Sequence, residues 1–461
     1  MAVMQHQSLF GPALRGLLSA FGGDVVVKVL GISSAFIVLS RLDPYQYGLW
    51  QLLLSVPIAF GIVTFPGVVN MLVADVSREL GSGNVRQANG IMIRSAALFI
   101  FLSCAGGIAM AVSAPLIHIA SGINLTSLLT LLSLSVAAIG VRQAYQMVLQ
   151  SHLEFFHGQF LRTLNNFSYF IFVIVFLVIL ERGFEGVVYA YVLATLVPVC
   201  LYTPYVGRKL IASFRDHERG EWRSFIEAVW HRGRWAILTD GVNALTGSLW
   251  PWVVGYFLGV EVVGILSVAI LLLGQSSAVI PTSYMLRSIL PRTAHSNERM
   301  REWLSRTMKF SALGYMTAGV GAFFACSIIF PFWFPQYVAA LPIFAALLLT
   351  LPLRGAASVA GEWYYATKRQ RELFLVSGLF KLGMFALLPP FLYLGGVIGY
   401  VLWHVLHSDL LLFVRTRLIV RHLGFSFRLS SIIVPDKVDD ELLRRAARLL
   451  WGKVKGVLPF S

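Results

Sequence analysis

Apolar stretches about as long as a bilayer's hydrocarbon core is thick recur from one end of the chain to the other, and this constrains its fold more than any motif does. An α-helix rising 1.5 Å per residue crosses the hydrocarbon in roughly 20 residues. Segments of about that length fall at 19–40, 45–70, 93–113, 124–148, 160–180, 185–206, 236–258, 262–286, 310–330, 337–363, 373–394 and 396–416. Each lacks the period-two alternation of a barrel strand, and lipid obliges every segment to satisfy its own backbone hydrogen bonds, so helices are expected. Hydrophobic residues make up 57% of the 461 and charged ones 13%, with a mean hydropathy of +0.74. A water-soluble core needs far less apolar surface.

Lys and Arg divide the loops into two sets. One set holds Arg78, Arg86 and Arg94, then Arg142 and Arg162, then Arg208, Lys209, Arg215, Arg219, Arg223, Arg232 and Arg234, then Arg287, Arg292, Arg299, Arg301, Arg306 and Lys309, then Lys368, Arg369 and Arg371; the other holds only Arg41 and Arg182. Cytoplasmic loops retain positive charge, so both termini are expected in the cytoplasm, with an even number of spans. The net charge of +15 is then a topology signal, and no nucleic-acid partner is expected, because no basic patch sits on a soluble domain. The first apolar run is long enough to span and lacks a convincing cleavage site, so it is expected to remain as the first helix. Cys104, Cys200 and Cys326 are widely separated within apolar segments, which offers neither a disulfide framework nor a metal-ligand spacing.

A weak internal repeat accompanies this pattern. Shifted by 216 residues, Asp24 falls on Asp240, Gly31 on Gly247, Leu42 on Leu258 and Gly48 on Gly264; a shift of 213 places Gly183 and Gly186 on Gly396 and Gly399. Six spans per half is an even number, so the halves are parallel repeats. The expected fold is an all-α polytopic membrane protein of about twelve transmembrane helices in two six-helix bundles. Its parts are an N-terminal bundle at 1–206, a cytoplasmic linker with an amphipathic helix at 207–234, a C-terminal bundle at 235–424 and a tail at 425–461. In the tail, acidic residues at 439–441 precede basic ones, and Leu442, Leu443, Ala446, Leu449 and Leu450 form one apolar face. That pattern suits a helix lying on an anionic leaflet.

Charges within spans cost about 2.5–3.5 kcal/mol each on insertion scales, so they normally face a bundle interior or a wet cavity. Asp24 and Lys28 stand one turn apart on the first helix and can pair with each other; Asp240 repeats the acid. Arg354 and Glu362 lie in the tenth span and Lys381 in the eleventh; His404, His407 and Asp409 lie in the twelfth, and Arg142 stands with Gln146 and Gln150 along the fourth. Asp24, Asp240, Glu362, His404 and Asp409 are the candidates for ion coupling or for setting cavity charge. Arg142 and Asp409 could equally snorkel to the interface. No phosphate-binding loop and no metal-spaced His or Cys set occurs, so neither catalytic residues nor cofactors nor metals are expected.

The stretch "LSRLDPYQYGLWQLLLSV" at 39–56, with Arg41, Leu42, Pro44, Tyr47 and Gly48, resembles the first external loop and second helix of the polysaccharide biosynthesis proteins. These are lipid-linked oligosaccharide flippases of the multidrug/oligosaccharidyl-lipid/polysaccharide superfamily. "GEWYYATKRQRELFLVSGLFKLGMFALLPPFLYLGGVIGY" at 361–400 is similar to that family's basic turn and eleventh helix. The resemblance implies movement of a polyprenyl-pyrophosphate-linked oligosaccharide from the inner to the outer leaflet of the cell inner membrane by alternating access. It also implies cavity cations for the pyrophosphate or an acidic sugar, a part open here to Lys28, Arg354, Lys381 and Arg142. Partners would be the lipid-linked oligosaccharide, membrane lipids and polysaccharide polymerase or ligase components. A small-molecule exporter of the same superfamily shares the fold; a membrane glycosyltransferase or polymerase fits the short external loops less well.

Overall fold

The computed structural model describes residues 23, 25–61, 66–121, 125–152, 154–217, 221–278, 297–367 and 369–423. Asp24 and the tail at 425–461 lie outside the described residues. All regular structure among the described residues is helical. The first span is α1 (25–41). The second is divided between α2 (Pro44–Phe60) and α3 (Pro66–Gly81), followed by α4 (Val85–Ser121), α5 (Thr126–Ser151), α6 (Phe155–Val173) and α7 (Gly183–Arg215). Next come α8 (Trp222–Leu258), α9 (Val260–Ala278), α10 (Asn297–Trp333), α11 (Ala340–Leu347), α12 (Leu351–Ala366), α13 (Gln370–Leu373), α14 (Leu379–Ala386) and α15 (Leu388–Leu423). Every expected span has its helix, and eight of the helical stretches are by themselves long and apolar enough to cross a membrane.

Local sequence explains the ends. Asp43 caps α2, its side chain accepting from the Gln46 N–H at 2.8 Å, and Pro44 opens the helix where its missing N–H costs nothing. On α4, Phe101, Ile108, Val112 and Leu116 are exposed at helical spacing, the stripe a span turns toward lipid. Its other face packs through Met92, Ala96 and Phe99 against Ala144, Met147 and Val148 of α5. Cys326 is buried, whereas Cys104 and Cys200 are exposed, so only the first of these fits the packing role that an apolar setting suggests. The stretch expected as a linker is helical on both sides of 218–220, because α7 continues to Arg215 and α8 begins at Trp222.

The chain forms two compact units, residues 1–265 and 266–461. In the first, α8 and the start of α9 pack with α2 and α3. There the 216-residue repeat takes physical form: Gly48 and Gly264 meet backbone to backbone. A Cβ on Gly48 would stand 2.0 Å from the Val260 carbonyl oxygen, and one on Gly264 1.9 Å from that of Pro44. The 213-residue repeat is equally visible, since Gly183 and Gly396 both adopt left-handed backbone, φ 56° and φ 53°, which glycine reaches without a Cβ penalty. At Gly183 this turns the chain into α7; at Gly396 it kinks α15, which is two helices in series. Each half also carries a π-helical segment before that glycine, Ile174–Ile179 and Phe374–Gly378.

The basic turns of the first unit gather at one end. Arg86, at the start of α4, donates Nε–H to Asp216 Oδ1 at 2.9 Å, so the 82–84 turn and the end of α7 share one end. The ion pair of Lys209 with Glu154 puts the α5–α6 turn at that end too. This is the basic end, the one the charge rule assigns to the cytoplasm. In the second unit, Arg369, Glu372 and His422 join the turn after α12 to the end of α15.

Candidate functional site

The second unit gathers polar side chains from three spans. Arg415, on α15, donates Nε–H to Ser377 Oγ at 2.8 Å and Nη1–H to the Ala357 carbonyl at 2.9 Å. Its own carbonyl accepts from Tyr364 Oη at 2.8 Å, so the residue ties α12, the π-helical segment and α15 together. Around it stand the cations of the neighbouring spans. Lys381 on α14 lies within electrostatic reach of Arg415 and Arg354. Arg354 on α12 lies within electrostatic reach of Tyr400 of α15 and Tyr315 of α10.

Two histidines complete the group. The His407 ring stacks between Phe380, at 6.0 Å, and Trp403, at 5.5 Å, each 13° from parallel. His404 stacks on Tyr400 at 6.0 Å and is close to Arg354 and His407. Both ring nitrogens of His404, and Nε2 of His407, are buried without a hydrogen-bond partner among the described residues. Arg354 makes no hydrogen bond or ion pair among them either. Three cations, half-buried in apolar helices, hold a concentrated positive potential there, because charges in low dielectric are weakly screened. Such a group can receive a doubly charged anion through charge-assisted hydrogen bonds.

The sequence-derived candidates therefore separate. Arg354, Lys381 and His404 come together, and Arg415, which the sequence reading did not single out, joins them. Its spacing of 11 from His404 is three helical turns, which places it on the same face of α15. Glu362 is buried at 6% exposure, two turns beyond Arg354 on α12. Asp409 is half-buried on α15, with Oδ1 shielded and unpaired among the described residues.

In the first unit, Lys28 is half-buried on α1. Arg142 is half-buried on α5, within electrostatic reach of Tyr191 and Arg162. Asp240 has a defined contact, its Oδ2 accepting from the Gly67 N–H at 2.7 Å. Gly67 is the second residue of α3, so Asp240 caps that helix through an amide 173 residues earlier in the chain. Near α2, Ser55, Val56, Phe60, Ile117, Leu249 and Trp252 line an apolar cavity of about 290 Å³, where Trp252 Nε1–H donates to Ser55 Oγ at 2.7 Å.

Two repeated halves of membrane helices, with cations on the spans and turn glycines at matching places, make this a polytopic all-α membrane protein. The chain belongs to the polysaccharide biosynthesis protein family, whose profile it matches over residues 38–342. Among solved structures it is similar to the lipid II flippase MurJ in an inward closed conformation, at 14% identity and a TM-score of 0.68, covering 91% of this chain and 89% of that one. It is also similar to a multidrug resistance MATE family transporter of the MOP superfamily. The inward-facing form gives 13% identity and a TM-score of 0.64 over 88% of this chain and 98% of that one. The outward-facing form gives 15% and 0.58 over 90% and 96%. At such identities the likeness establishes the fold. No curated protein matches the sequence.

Proposed function

We propose that this protein is a flippase that carries a polyprenyl-pyrophosphate-linked oligosaccharide from the inner to the outer leaflet of the cell inner membrane by alternating access, without catalysing a reaction. The observation that carries the reading is the cluster of Arg354, Lys381 and Arg415 on membrane helices of a chain in the polysaccharide biosynthesis family. A pyrophosphate cannot enter hydrocarbon unpaired, and guanidinium and ammonium groups in a shielded site replace its hydration. Arg354 and Lys381 are its direct ligands. Arg415 holds the cluster in register through its bonds to Ser377 and Ala357. Lys28 supplies a further cation on the path, and Glu362, His404 and Asp409 set the charge of the second unit's interior. Asp240 acts through the helix it caps.

The test is a strain lacking the gene, complemented with wild type, Arg354→Ala or Lys381→Ala, and assayed for lipid-linked saccharides. The reading requires an unpolymerised polyprenyl-pyrophosphate saccharide to accumulate on the cytoplasmic leaflet and to clear with wild type alone. Heightened drug sensitivity with no such lipid would identify an exporter instead.

A further inference from the structure

The first unit has a polar site of a different character. Tyr47 and Trp50 from α2, Tyr169 from α6 and Tyr191 from α7 converge, with Trp50 and Tyr191 at 5.6 Å and Tyr169 and Tyr191 at 6.4 Å, both edge to face. Tyr47 is within electrostatic reach of Tyr169 and its hydroxyl bonds the Gln51 side chain. Arg142 of α5 lies within electrostatic reach of Tyr191.

The hydrogen bonding of this group is incomplete. Among the described residues Arg142 makes no hydrogen bond or ion pair, and the hydroxyls of Tyr169 and Tyr191 make none. Asn165, one turn before Tyr169 on α6, has Oδ1 buried without a partner. The Asn165 oxygen is shielded, where an unmet polar group costs about 1–3 kcal/mol. Four aromatic rings beside a guanidinium, an amide oxygen and two phenols match what a pyranose presents: C–H groups for the ring faces and hydroxyls that both donate and accept.

We propose that this site binds the sugar of the transported lipid, a neutral hexose or N-acetylhexosamine, through Arg142, Asn165, Tyr169 and Tyr191 against the rings of Tyr47 and Trp50. The inference rests on the flippase reading and assigns the saccharide to the first unit, apart from the cations of the second.

The full chain in lipid nanodiscs is titrated with undecaprenyl pyrophosphate and with the same lipid bearing one N-acetylglucosamine or one galactose. At least one glycosylated lipid should bind wild type about tenfold tighter than the bare lipid, equivalent to one well-met pair of hydrogen bonds. Tyr191→Leu should abolish that gain while leaving affinity for the bare lipid unchanged. Tyr169→Phe and Tyr191→Phe, which keep the rings and the packing, should lose part of it. Arg354→Ala should weaken all three lipids and keep the gain. Equal binding of bare and glycosylated lipids by wild type overturns the proposal and leaves the flippase reading standing. A gain that survives both Tyr191 variants overturns it too. Failure of all three lipids to bind removes the flippase reading, and this inference with it.

Discussion

Gly48 on α2 and Gly264 on α9 occupy each other's side-chain space: a Cβ on either would reach within 3.1 Å of the other's amide nitrogen. They are also mates under the 216-residue repeat, so α2 and the start of α9 are related by a local two-fold. Without a solvent-driven hydrophobic effect between helices, such close backbone approach is how membrane spans gain packing energy.

Gly48→Ala and Gly264→Ala should each destabilise the protein by about 1–3 kcal/mol, since the new methyl meets backbone that no rotamer change can move aside. Gly247→Ala, where the built Cβ meets nothing within 4 Å, should be neutral or stabilising by up to about 1 kcal/mol. Thermal unfolding in detergent separates the two classes. Equal effects at all three positions would contradict the packing seen here.

Asp240→Ala removes the acceptor of the Gly67 N–H and should cost about 0.5–2 kcal/mol, as loss of a helix cap does. Asp240→Asn keeps an acceptor oxygen and should cost less. Hydrogen exchange at the first turn of α3 reports the loss directly, with faster exchange in Asp240→Ala.

Glu154 accepts from Tyr205 Oη at 2.9 Å and from Lys209 Nζ at the cytoplasmic end of the first unit. Burial alone would raise its carboxyl, but the bonds from Lys209 and Tyr205 outweigh this and hold its pKa below the ordinary 4.5. A carboxylate depressed in the folded state contributes stability above the unfolded-state pKa and loses it as pH falls through the folded-state value. The stability gap between wild type and Glu154→Gln, about 0.2–1 kcal/mol, should therefore hold constant from neutral pH to about 5. It should shrink on further acidification, as read by unfolding midpoints at each pH.

Arg354→Ala and Lys381→Ala should each weaken binding of undecaprenyl pyrophosphate about 10- to 100-fold, the value of a charge-assisted hydrogen bond of roughly 1.5–3 kcal/mol. Isothermal titration in nanodiscs measures it. Arg415→Lys, which keeps the charge and loses the fork that bonds Ser377 and Ala357, should also weaken it, because a single ammonium cannot span both acceptors.

The spans, their direction and the repeat are legible in the sequence because lipid imposes length, apolarity and charge asymmetry on every segment. What sequence does not carry is which residues meet. Asp240 reads as a lone membrane acid, since its partner Gly67 is a backbone amide far away in the chain. Trp50, Tyr169 and Tyr191 pass as apolar filling, because an aromatic residue in a hydrophobic run has no periodicity of its own. Arg415 sits where basic residues mark the cytoplasmic end, which hides its bonds to two other spans. Arg354, Lys381 and His404 stand out because a charge within a span carries a cost that demands a reason.

The most direct measurement is transbilayer movement of fluorescent undecaprenyl-pyrophosphate N-acetylglucosamine in vesicles containing the purified protein, read by quenching from one side. Wild type should move the lipid, and Arg354→Ala and Lys381→Ala, folded to the wild-type midpoint, should not. Movement no faster than in protein-free vesicles, or undiminished in both variants, would contradict the account.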